Sequence, residues 1–381
     1  MNNLKIEREL VIKTKTEDDA IEIALIENGE ICEYKKEEKN LVGNIYAARV
    51  TDCLESLGTS FADIGSDKSG FIKGDLIKSG SMVMVQVVSA QHHDKGVAVS
   101  TNITLTGIYV VMMVRRNKDK NDVKVSKKIS NEKSIKRLKH LGRSILEGVE
   151  EIGIRLILRT DAENARDEDV AKEATELIKE YNMLVKAFNE SEGNPRLLKE
   201  SEDLVTEMIC RYPMSTYKNI YTDSHKLTLS LSKRYSGLNV QTVGLGNNAY
   251  DIFDILNIST RLTQLLGRKV WLKSGAYILI EPTEAMTVID VNSGKFKGMS
   301  KKEKEDVIFA INTEAASEIM RQLRLRNIGG IIVCDFIDMQ KDENGELLLE
   351  YMRNLSKNDF EQPSVIDITK LGLVEITRKR S

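Results

Sequence analysis

Residues 276–337 follow a strand, helix, strand pattern that constrains the fold more than any other part of the chain. Apolar runs at 276–281 and 286–291 flank a short Pro-Thr turn, residues 302–325 carry apolar positions at helical spacing, and 331–337 is again apolar. A helix that crosses between two strands of one sheet makes those strands parallel, and the connection is right-handed in nearly all cases. Asp290 and Asp335 lie near the C-terminal ends of these strands. We therefore expect both carboxylates at the same sheet edge, where α/β proteins commonly hold their sites.

Both aspartates interrupt runs that are otherwise apolar, and an isolated carboxylate is costly to bury. A divalent cation held between the two would offset that cost. Strand alternation puts Asn292 on the same face as Asp290, where its amide can orient a water or a phosphate oxygen. Oxygen ligands without a nearby histidine or thiolate favour Mg²⁺, with Mn²⁺ as a possible substitute. The alternative interpretation is an aspartate that simply precedes an Asn-Ser-Gly turn.

Residues 41–107 have a different texture, with five short β-rich runs separated by glycine turns. This pattern is typical of a small OB-type barrel, a fold that often binds single-stranded nucleic acid. Phe61 and Phe71 flank one of the turns, and such rings can stack on bases while cations such as Lys95 contact the phosphates. The alternative is that both rings belong to the barrel core.

A basic stretch follows, because residues 115–139 hold eleven Lys or Arg, including Lys127 and Lys128, and only three acids. Such a stretch attracts polyanions in a salt-dependent way, although a solvated lysine-rich surface has the same composition. A predicted strand over 153–158 ends at Arg159-Thr160, a guanidinium and a hydroxyl suited to a phosphate. The alternative for Arg159 is an ordinary surface salt bridge. Helices are predicted over 162–187 and over 251–266.

The composition excludes several classes of protein. A chain of 381 residues with 41% hydrophobic content is long enough for two or three domains, and its formal net charge of -2 excludes a uniformly basic nucleic-acid binder. The four cysteines form no Cys-x-x-Cys pair, so a zinc knuckle is not expected. Neither a signal-peptide core nor an apolar run long enough to span a bilayer occurs, so we expect a cytoplasmic protein without membrane association.

Four motifs in the C-terminal third carry a resemblance to a known family. They are Asp290-Val-Asn-Ser-Gly294, Asn312-Thr-Glu-Ala-Ala316, Arg321-Gln-Leu-Arg-Leu-Arg-Asn-Ile-Gly-Gly330 and Ile332-Val-Cys-Asp-Phe-Ile-Asp-Met339. In this order they resemble the bacterial ribonuclease E/G family, the short ribonuclease G type most closely, and the resemblance extends over essentially the whole chain. It implies a multidomain α+β and α/β fold. The implied parts are an RNase H-like part (1–40 and 205–268), an inserted OB-fold domain of the S-one type (41–109), a 5′-sensor region (110–204) and a deoxyribonuclease-I-like catalytic α/β part (269–381).

The resemblance also implies an activity, the Mg²⁺-dependent cleavage of single-stranded, A/U-rich RNA that leaves 5′-monophosphate ends in rRNA and mRNA processing and decay. The residues that match family positions are the metal-binding Asp290 and Asp335, the catalytic Asn292, the 5′-monophosphate-binding Arg159 and Thr160, and the RNA-contacting Phe61 and Phe71. Two positions depart from the family pattern. Ile64 stands where some members carry an aromatic, so one stacking surface is expected to be missing. Asp161 places an acid beside the proposed phosphate site and is expected to weaken or retune 5′ sensing.

The family's Cys-Pro-x-Cys zinc link does not occur in this sequence. We therefore expect no structural Zn²⁺, and a homo-oligomer that is a dimer rather than a zinc-linked tetramer. The alternative function is a catalytically inactive RNA-binding protein that retains the fold. Retention of Asp290, Asn292 and Asp335 together argues against it, because an inactive site has no physical need for all three.

Overall fold

The computed structural model describes residues 6–14, 16, 20–37, 41–66, 69–89, 96–116, 120–149, 153–201, 203–235, 237–244, 251–294 and 301–379, without the side chains of 57 and 301–303. The chain divides into two compact units. The first comprises Met1–Glu37 and Thr216–Ser381, and the second comprises Glu38–Ser215. The second unit is therefore inserted into the sequence of the first. Among the described residues, no helix is both long and apolar enough to cross a membrane.

The first unit begins with three strands, β1 (Arg8–Lys13), β2 (Glu22–Glu27) and β3 (Glu30–Lys36). Asn28 and Gly29 join β2 to β3 and have positive φ angles of 49° and 85°, as a tight Asn-Gly hairpin turn requires. β1 also pairs in parallel with a strand that follows the inserted unit, residues 217–222. The sequence predicted this, because the opening segment is too short to fold alone.

The second unit opens with a closed five-stranded barrel, as the glycine-punctuated sequence predicted. Its strands are β4 (Ile45–Leu54), β5 (Thr59–Asp63), β6 (Ser69–Lys73), β7 (Met82–Ser89) and β8 (Val97–Ser100). They pair in the order β4-β5-β6-β8-β7, and β7 returns to β4 to close the barrel. The barrel is filled mainly by buried valine, isoleucine and alanine side chains.

A four-stranded sheet and three helices complete the second unit. The elements are β9 (Ile103–Thr106), β10 (Val110–Val114), β11 (Asp122–Val125), α1 (Glu132–Leu146), β12 (Ile154–Leu158), α2 (Asp167–Asn189), β13 (Arg196–Lys199) and α3 (Leu204–Arg211). The sheet order is β11-β12-β10-β9, and β11 runs parallel to β12, so both strands end at the same edge. Helices α1 and α2 pack on this sheet, and β13 pairs with β4.

The first unit then resumes with β14 (Tyr217–Thr222), α4 (His225–Arg234), β15 (Val240–Thr242), α5 (Ile252–Ile255) and α6 (Ile258–Leu265). The sequence predicted one helix over 251–266, and that prediction is wrong. Asn257 has a left-handed φ of 53° and separates α5 from α6. Asparagine adopts this conformation more readily than most residues, so the apolar spacing continues while the helix does not.

The last part of the first unit is a six-stranded sheet with two helices. Its elements are β16 (Lys269–Trp271), β17 (Tyr277–Pro282), β18 (Met286–Asn292), α7 (Lys301–Leu325), β19 (Gly330–Asp335), α8 (Asp342–Ser356), β20 (Ser364–Ile368) and β21 (Leu373–Arg378). The strand order is β16-β17-β18-β19-β21-β20. One face forms a buried core with α7 and α8. We call the opposite face, which carries the partly or fully exposed residues of each strand, the outer face.

Candidate functional site

Asp290 and Asp335 lie side by side on neighbouring strands. They are direct register partners in the parallel pairing of β18 with β19, and α7 forms the connection between these strands. The expectation that both aspartates reach one edge of one sheet is confirmed. Since register partners in adjacent strands point to the same face, the two carboxylates project together from the outer face.

The expectation that these carboxylates are buried is wrong. Asp335 is exposed and Asp290 is half-buried, whereas their chain neighbours Cys334 and Ile289 are fully buried against the helices. The unfavourable free energy at this site therefore comes from charge repulsion and not from burial. Like charges directly opposite each other on adjacent strands destabilise a sheet. A cation between the two carboxylates removes that repulsion.

Asn292 lies on the same face as Asp290, as strand alternation predicted. Its Nδ2 donates a hydrogen bond of 2.6 Å to Asp290 Oδ2. The motif then turns at Gly294, where φ is +70° and an added Cβ would lie 2.9 Å from the Gly275 carbonyl oxygen. The Asn-Ser-Gly turn is therefore real, but Asp290 precedes it within the strand, paired on one side with Leu279 and on the other with Asp335.

The segment that follows Asp335 is held by α7. Asn312 is completely buried; its Nδ2 donates to the Ile337 carbonyl at 2.8 Å, and its Oδ1 accepts from the Ile337 N–H at 3.1 Å. About two turns earlier in α7, the Glu305 carboxylate accepts from the backbone N–H groups of Gln340 and Lys341. The Gln340 N–H, as the largest influence, holds the pKa of Glu305 below its ordinary value. These contacts fix the chain as it leaves β19.

Arg159 and Thr160 follow β12 in the second unit. The Arg159 guanidinium donates to the Gly107 carbonyl at 2.7 Å and to the Cys210 carbonyl. Within the described residues it therefore bonds to backbone and does not form the surface salt bridge that was the alternative. These bonds use two of the five guanidinium N–H donors. Thr160 Oγ1 lies 3.2 Å from Ser126 Oγ.

Lys127 and Lys128 belong to the same edge. They follow β11, whose last residue Val125 is the register partner of Leu158 at the end of β12, and both side chains are exposed. The backbone N–H of Lys128 donates to Ser126 Oγ at 3.3 Å. The structure therefore brings a guanidinium, a hydroxyl and two ammonium-bearing residues to one edge of the four-stranded sheet.

Two carboxyl groups lie close to Arg159. The Asp161 carboxylate accepts from the Met214 backbone N–H at 2.8 Å, and Glu173 accepts from the N–H groups of the turn that leads into β10. Burial raises the pKa of both carboxyl groups, while the backbone N–H groups and Arg159 act in the opposite direction. The Asp161 carboxylate, which the sequence placed beside the proposed phosphate site, thus already accepts a hydrogen bond from the backbone. Its effect on 5′ sensing stays a prediction.

Phe61 and Phe71 are register partners across β5 and β6, and both rings are half-buried. Their neighbours Ser60, Ala62 and Ile72 point into the barrel and are buried. The two rings therefore lie on the outer surface of the barrel rather than in its core, and their contact with RNA stays a prediction. Ile64 is fully buried in the barrel core and offers no stacking surface. Lys95 lies outside the described residues.

Comparison with known proteins identifies the family. The model of the ribonuclease E/G family matches residues 104–381. The chain belongs to the ribonuclease E/G family. Ribonuclease G of Salmonella typhimurium (strain SL1344) is 32% identical over 94% of this chain and 77% of its own length. Ribonuclease G of Haemophilus influenzae is also 32% identical, over 94% of this chain and 77% of its own length. Ribonuclease E of Synechocystis is 32% identical over 89% of this chain and 52% of its own length. The family resemblance read from the four motifs is confirmed.

The residues present at the aspartate pair suit a hard divalent cation. Asp290, Asp335 and Asn292 offer carboxylate and amide oxygens, which Mg²⁺ prefers. Within the described part of the chain, no group of three or more His, Cys, Asp or Glu side chains could hold a metal. Two carboxylates suffice for Mg²⁺ in phosphate chemistry, because substrate oxygens and waters complete its shell. Cys32 and Cys334 are buried, and burial raises the pKa of both thiols to about 12, which disfavours the thiolate that zinc requires.

Sequence reasoning missed the residues that support this candidate site. Asn312 was quoted as part of a motif, but its bonds to Ile337 were not foreseen, and Glu305 was not singled out. One signal was available for Asn312, a polar residue directly beside the apolar stripe that contains Ile311 and Ala315. A buried amide on a helix normally has bonded partners, although the sequence does not say which.

Proposed function

We propose that the chain is a Mg²⁺-dependent endoribonuclease that cleaves single-stranded, A/U-rich RNA and leaves 5′-monophosphate ends. The observation that carries the proposal is the paired carboxylates of Asp290 and Asp335, joined by Asn292, on the outer face of a sheet in a chain of the ribonuclease E/G family. Relatives at 32% identity bear the names ribonuclease G and ribonuclease E. Transcript processing and decay in the cytoplasm is the role that such an activity would serve.

The proposed roles follow from the donor and acceptor groups. Asp290 and Asp335 hold the cation, which when bound supplies charge neutralisation at the scissile phosphate and acidifies water. Asn292 uses one amide N–H to fix Asp290 Oδ2. Its remaining N–H and its Oδ1 can orient a phosphate oxygen or the attacking water. Asn312 and Glu305 position the segment after Asp335 without touching substrate.

We further propose that Arg159 and Thr160 bind a 5′-monophosphate, with Lys127 and Lys128 at the same edge adding positive charge. A planar guanidinium and a hydroxyl match the oxygens of a small terminal phosphate. The barrel with Phe61 and Phe71 on its surface is proposed as an S-one-type RNA-binding domain. The six-stranded sheet with α7 and α8 is proposed as the deoxyribonuclease-I-like catalytic part, and the five-stranded sheet as the RNase H-like part.

The decisive test is cleavage of a 5′-monophosphorylated A/U-rich oligonucleotide in the presence of Mg²⁺. Asp335→Asn should lower the rate at least about 100-fold, since a metal ligand contributes several kcal/mol to the transition state and each factor of ten is about 1.4 kcal/mol. Asp338→Asn is the matched control, because Asp338 is exposed, lies three residues further on and is outside β19. Equal rates for the wild type and Asp335→Asn would reject the catalytic assignment. Binding without cleavage by the wild type would favour the inactive RNA-binding alternative.

The phosphate site has a separate test. Thr160→Val removes the hydroxyl and keeps the side-chain shape, so it should narrow the rate difference between 5′-monophosphate and 5′-hydroxyl substrates. Arg159→Ala should narrow it further, although it also removes the bonds to the Gly107 and Cys210 carbonyls. An unchanged ratio in Thr160→Val and Arg159→Ala alike would remove the sensor role while leaving the catalytic proposal intact.

A further inference from the structure

An aromatic pair, one ring exposed and the other half-buried, lies on the outer face of the six-stranded sheet, in the two strands that precede β18. Trp271 in β16 and Tyr277 in β17 are register partners, with ring centroids 5.2 Å apart and an interplanar angle of 62°. Trp271 is the only tryptophan of the chain, and 64% of it is exposed. Tryptophan is usually largely buried, so this degree of exposure requires an explanation.

A lysine is already positioned against both rings. The Lys269 ammonium lies 3.8 Å from the centroid of the Trp271 ring and 3.6 Å from that of Tyr277. Among the described residues, Lys269 forms no ion pair with a carboxylate. Its neighbours differ, because Arg268 pairs with Glu281 and Lys273 with Glu30. A cation held in place by aromatic rings alone keeps its charge available for an anion from outside the chain.

The aromatic pair is aligned with the proposed catalytic residues. Tyr277 is the register partner of Asn292, and Leu279, two residues along β17, is the partner of Asp290. Trp271, Tyr277 and Asn292 therefore form one row across three adjacent strands of the same face. Strands are about 4.8 Å apart, so the indole is roughly 10 Å from Asn292. That distance suits a nucleotide next to, or one removed from, the scissile phosphate.

We propose that Lys269, Trp271 and Tyr277 form a nucleotide subsite for single-stranded RNA, in which a base stacks on the exposed indole and the ammonium binds a neighbouring phosphate. The inference rests on the proposed function and adds a substrate contact to it. Stacking on an aromatic ring with a nearby cation is the general way in which proteins hold single strands, and it tolerates any base. The subsite would thus contribute affinity and register, while sequence preference would come from elsewhere.

The single tryptophan makes a direct test possible. The Asp335→Asn protein is titrated with an unlabelled, short single-stranded RNA in Mg²⁺, and Trp271 emission is followed with excitation that tyrosine does not absorb. Stacking of a base should quench this emission in step with binding, which fluorescence anisotropy of a labelled copy of the same RNA measures independently. Binding by anisotropy without any change in Trp271 emission would reject the subsite and leave the proposed function standing. Absence of binding, together with absence of cleavage by the wild type, would reject both.

Substitutions measure how much the subsite contributes to RNA affinity. Trp271→Ala should weaken RNA binding about 5- to 150-fold, whereas Trp271→Phe, which keeps a ring, should retain most of the affinity. Lys269→Gln should make the slope of log affinity against log salt shallower by about 0.7, the value for one phosphate contact on a single strand. Ile366→Ala is the control, since Ile366 is an exposed apolar residue on β20 at the opposite edge of the same sheet. Equal losses in Trp271→Ala and Ile366→Ala would overturn the proposal. So would emission that changes with protein concentration and not with RNA, because a second copy of the chain would then cover the indole.

Discussion

Replacing Arg324 by methionine tests how α7 is fixed within the first unit. Arg324 lies in the last turn of α7 and is 8% exposed. Its guanidinium donates to Glu27 Oε2 at 2.7 Å and to Glu33 Oε1 at 2.9 Å. Arg8 donates to the other oxygen of Glu27 at 2.8 Å. Two cations and two anions thus form a buried network between α7 and the β2–β3 hairpin.

The expected loss of folding stability follows from the burial of these charged side chains. Arg324→Met removes the hydrogen bonds of the guanidinium to Glu27 and Glu33 and takes one cation away from two buried carboxylates. Removing one member of a buried ion network costs about 3–5 kcal/mol, a large share of the 5–15 kcal/mol that typically stabilises a folded domain. For a unit of this size, about 2–4 °C per kcal/mol corresponds to a drop in Tm of roughly 6–20 °C.

Emission of Trp271 provides the assay, because the only tryptophan lies in the first unit and loses its contacts with Tyr277 and Lys269 when that unit unfolds. The matched control is Arg268→Met, since Arg268 is 72% exposed and its pair with Glu281 should contribute only about 0–1 kcal/mol. A double-mutant cycle with Glu33→Gln should give a coupling energy of at least about 1 kcal/mol. If Arg324→Met unfolds within 1 kcal/mol of Arg268→Met, the network is replaceable by apolar packing and the reasoning fails.

Three further substitutions have defined outcomes. Phe61→Ala should weaken RNA binding by about 1–3 kcal/mol in anisotropy titrations without lowering the Tm, because the ring lies outside the barrel core. Gly294→Ala should destabilise the first unit by about 1–2 kcal/mol and slow cleavage, because φ is +70° there, whereas Gly148→Ala, at an open position, should do neither. Glu305→Gln should lose a stabilisation that the wild type has above the ordinary glutamate pKa of about 4.3. Since the Gln340 N–H lowers the folded-state pKa, this advantage should disappear as the pH falls through that lowered value, which urea unfolding across the acid range would detect.

The relation of the two aspartates could be predicted from the sequence, but their burial could not. A strand, a helix and a second strand allow essentially one local topology, so the parallel register followed. Burial was misjudged because Val288 and Ile331, on the outer face, are apolar although 37% and 50% exposed. A strand that is apolar on both faces looks like one covered on both sides. Alternation therefore carried no information about which face is solvated.

The polar contacts between residues far apart in the chain could not be predicted from the sequence. Arg324 and Glu33 are separated by 291 positions, and no spacing rule links a helix residue to a hairpin so far away. A charged side chain close to an apolar stripe indicates that a partner exists, without identifying it. The same holds for Lys269, whose ring contacts depend on the pairing of β16 with β17. The helix break at Asn257 was also missed, because apolar spacing continues across a single left-handed residue.

The two faces of the six-stranded sheet contribute differently, one to stability and the other to the proposed reaction. In α7, Asn312 and Glu305 hold the segment after β19, and Arg324 holds the β2–β3 hairpin of the five-stranded sheet. Asp290 and Asp335 project from the outer face, on the side of the sheet opposite α7. Because Arg324 bonds the β2–β3 hairpin and not the segment after Asp335, its loss should change the folded fraction and not the rate of each folded molecule. Arg324→Met should therefore cleave at the wild-type rate at temperatures well below its lowered Tm, and a reduced rate there would mean that α7 also tunes the geometry of the carboxylate pair.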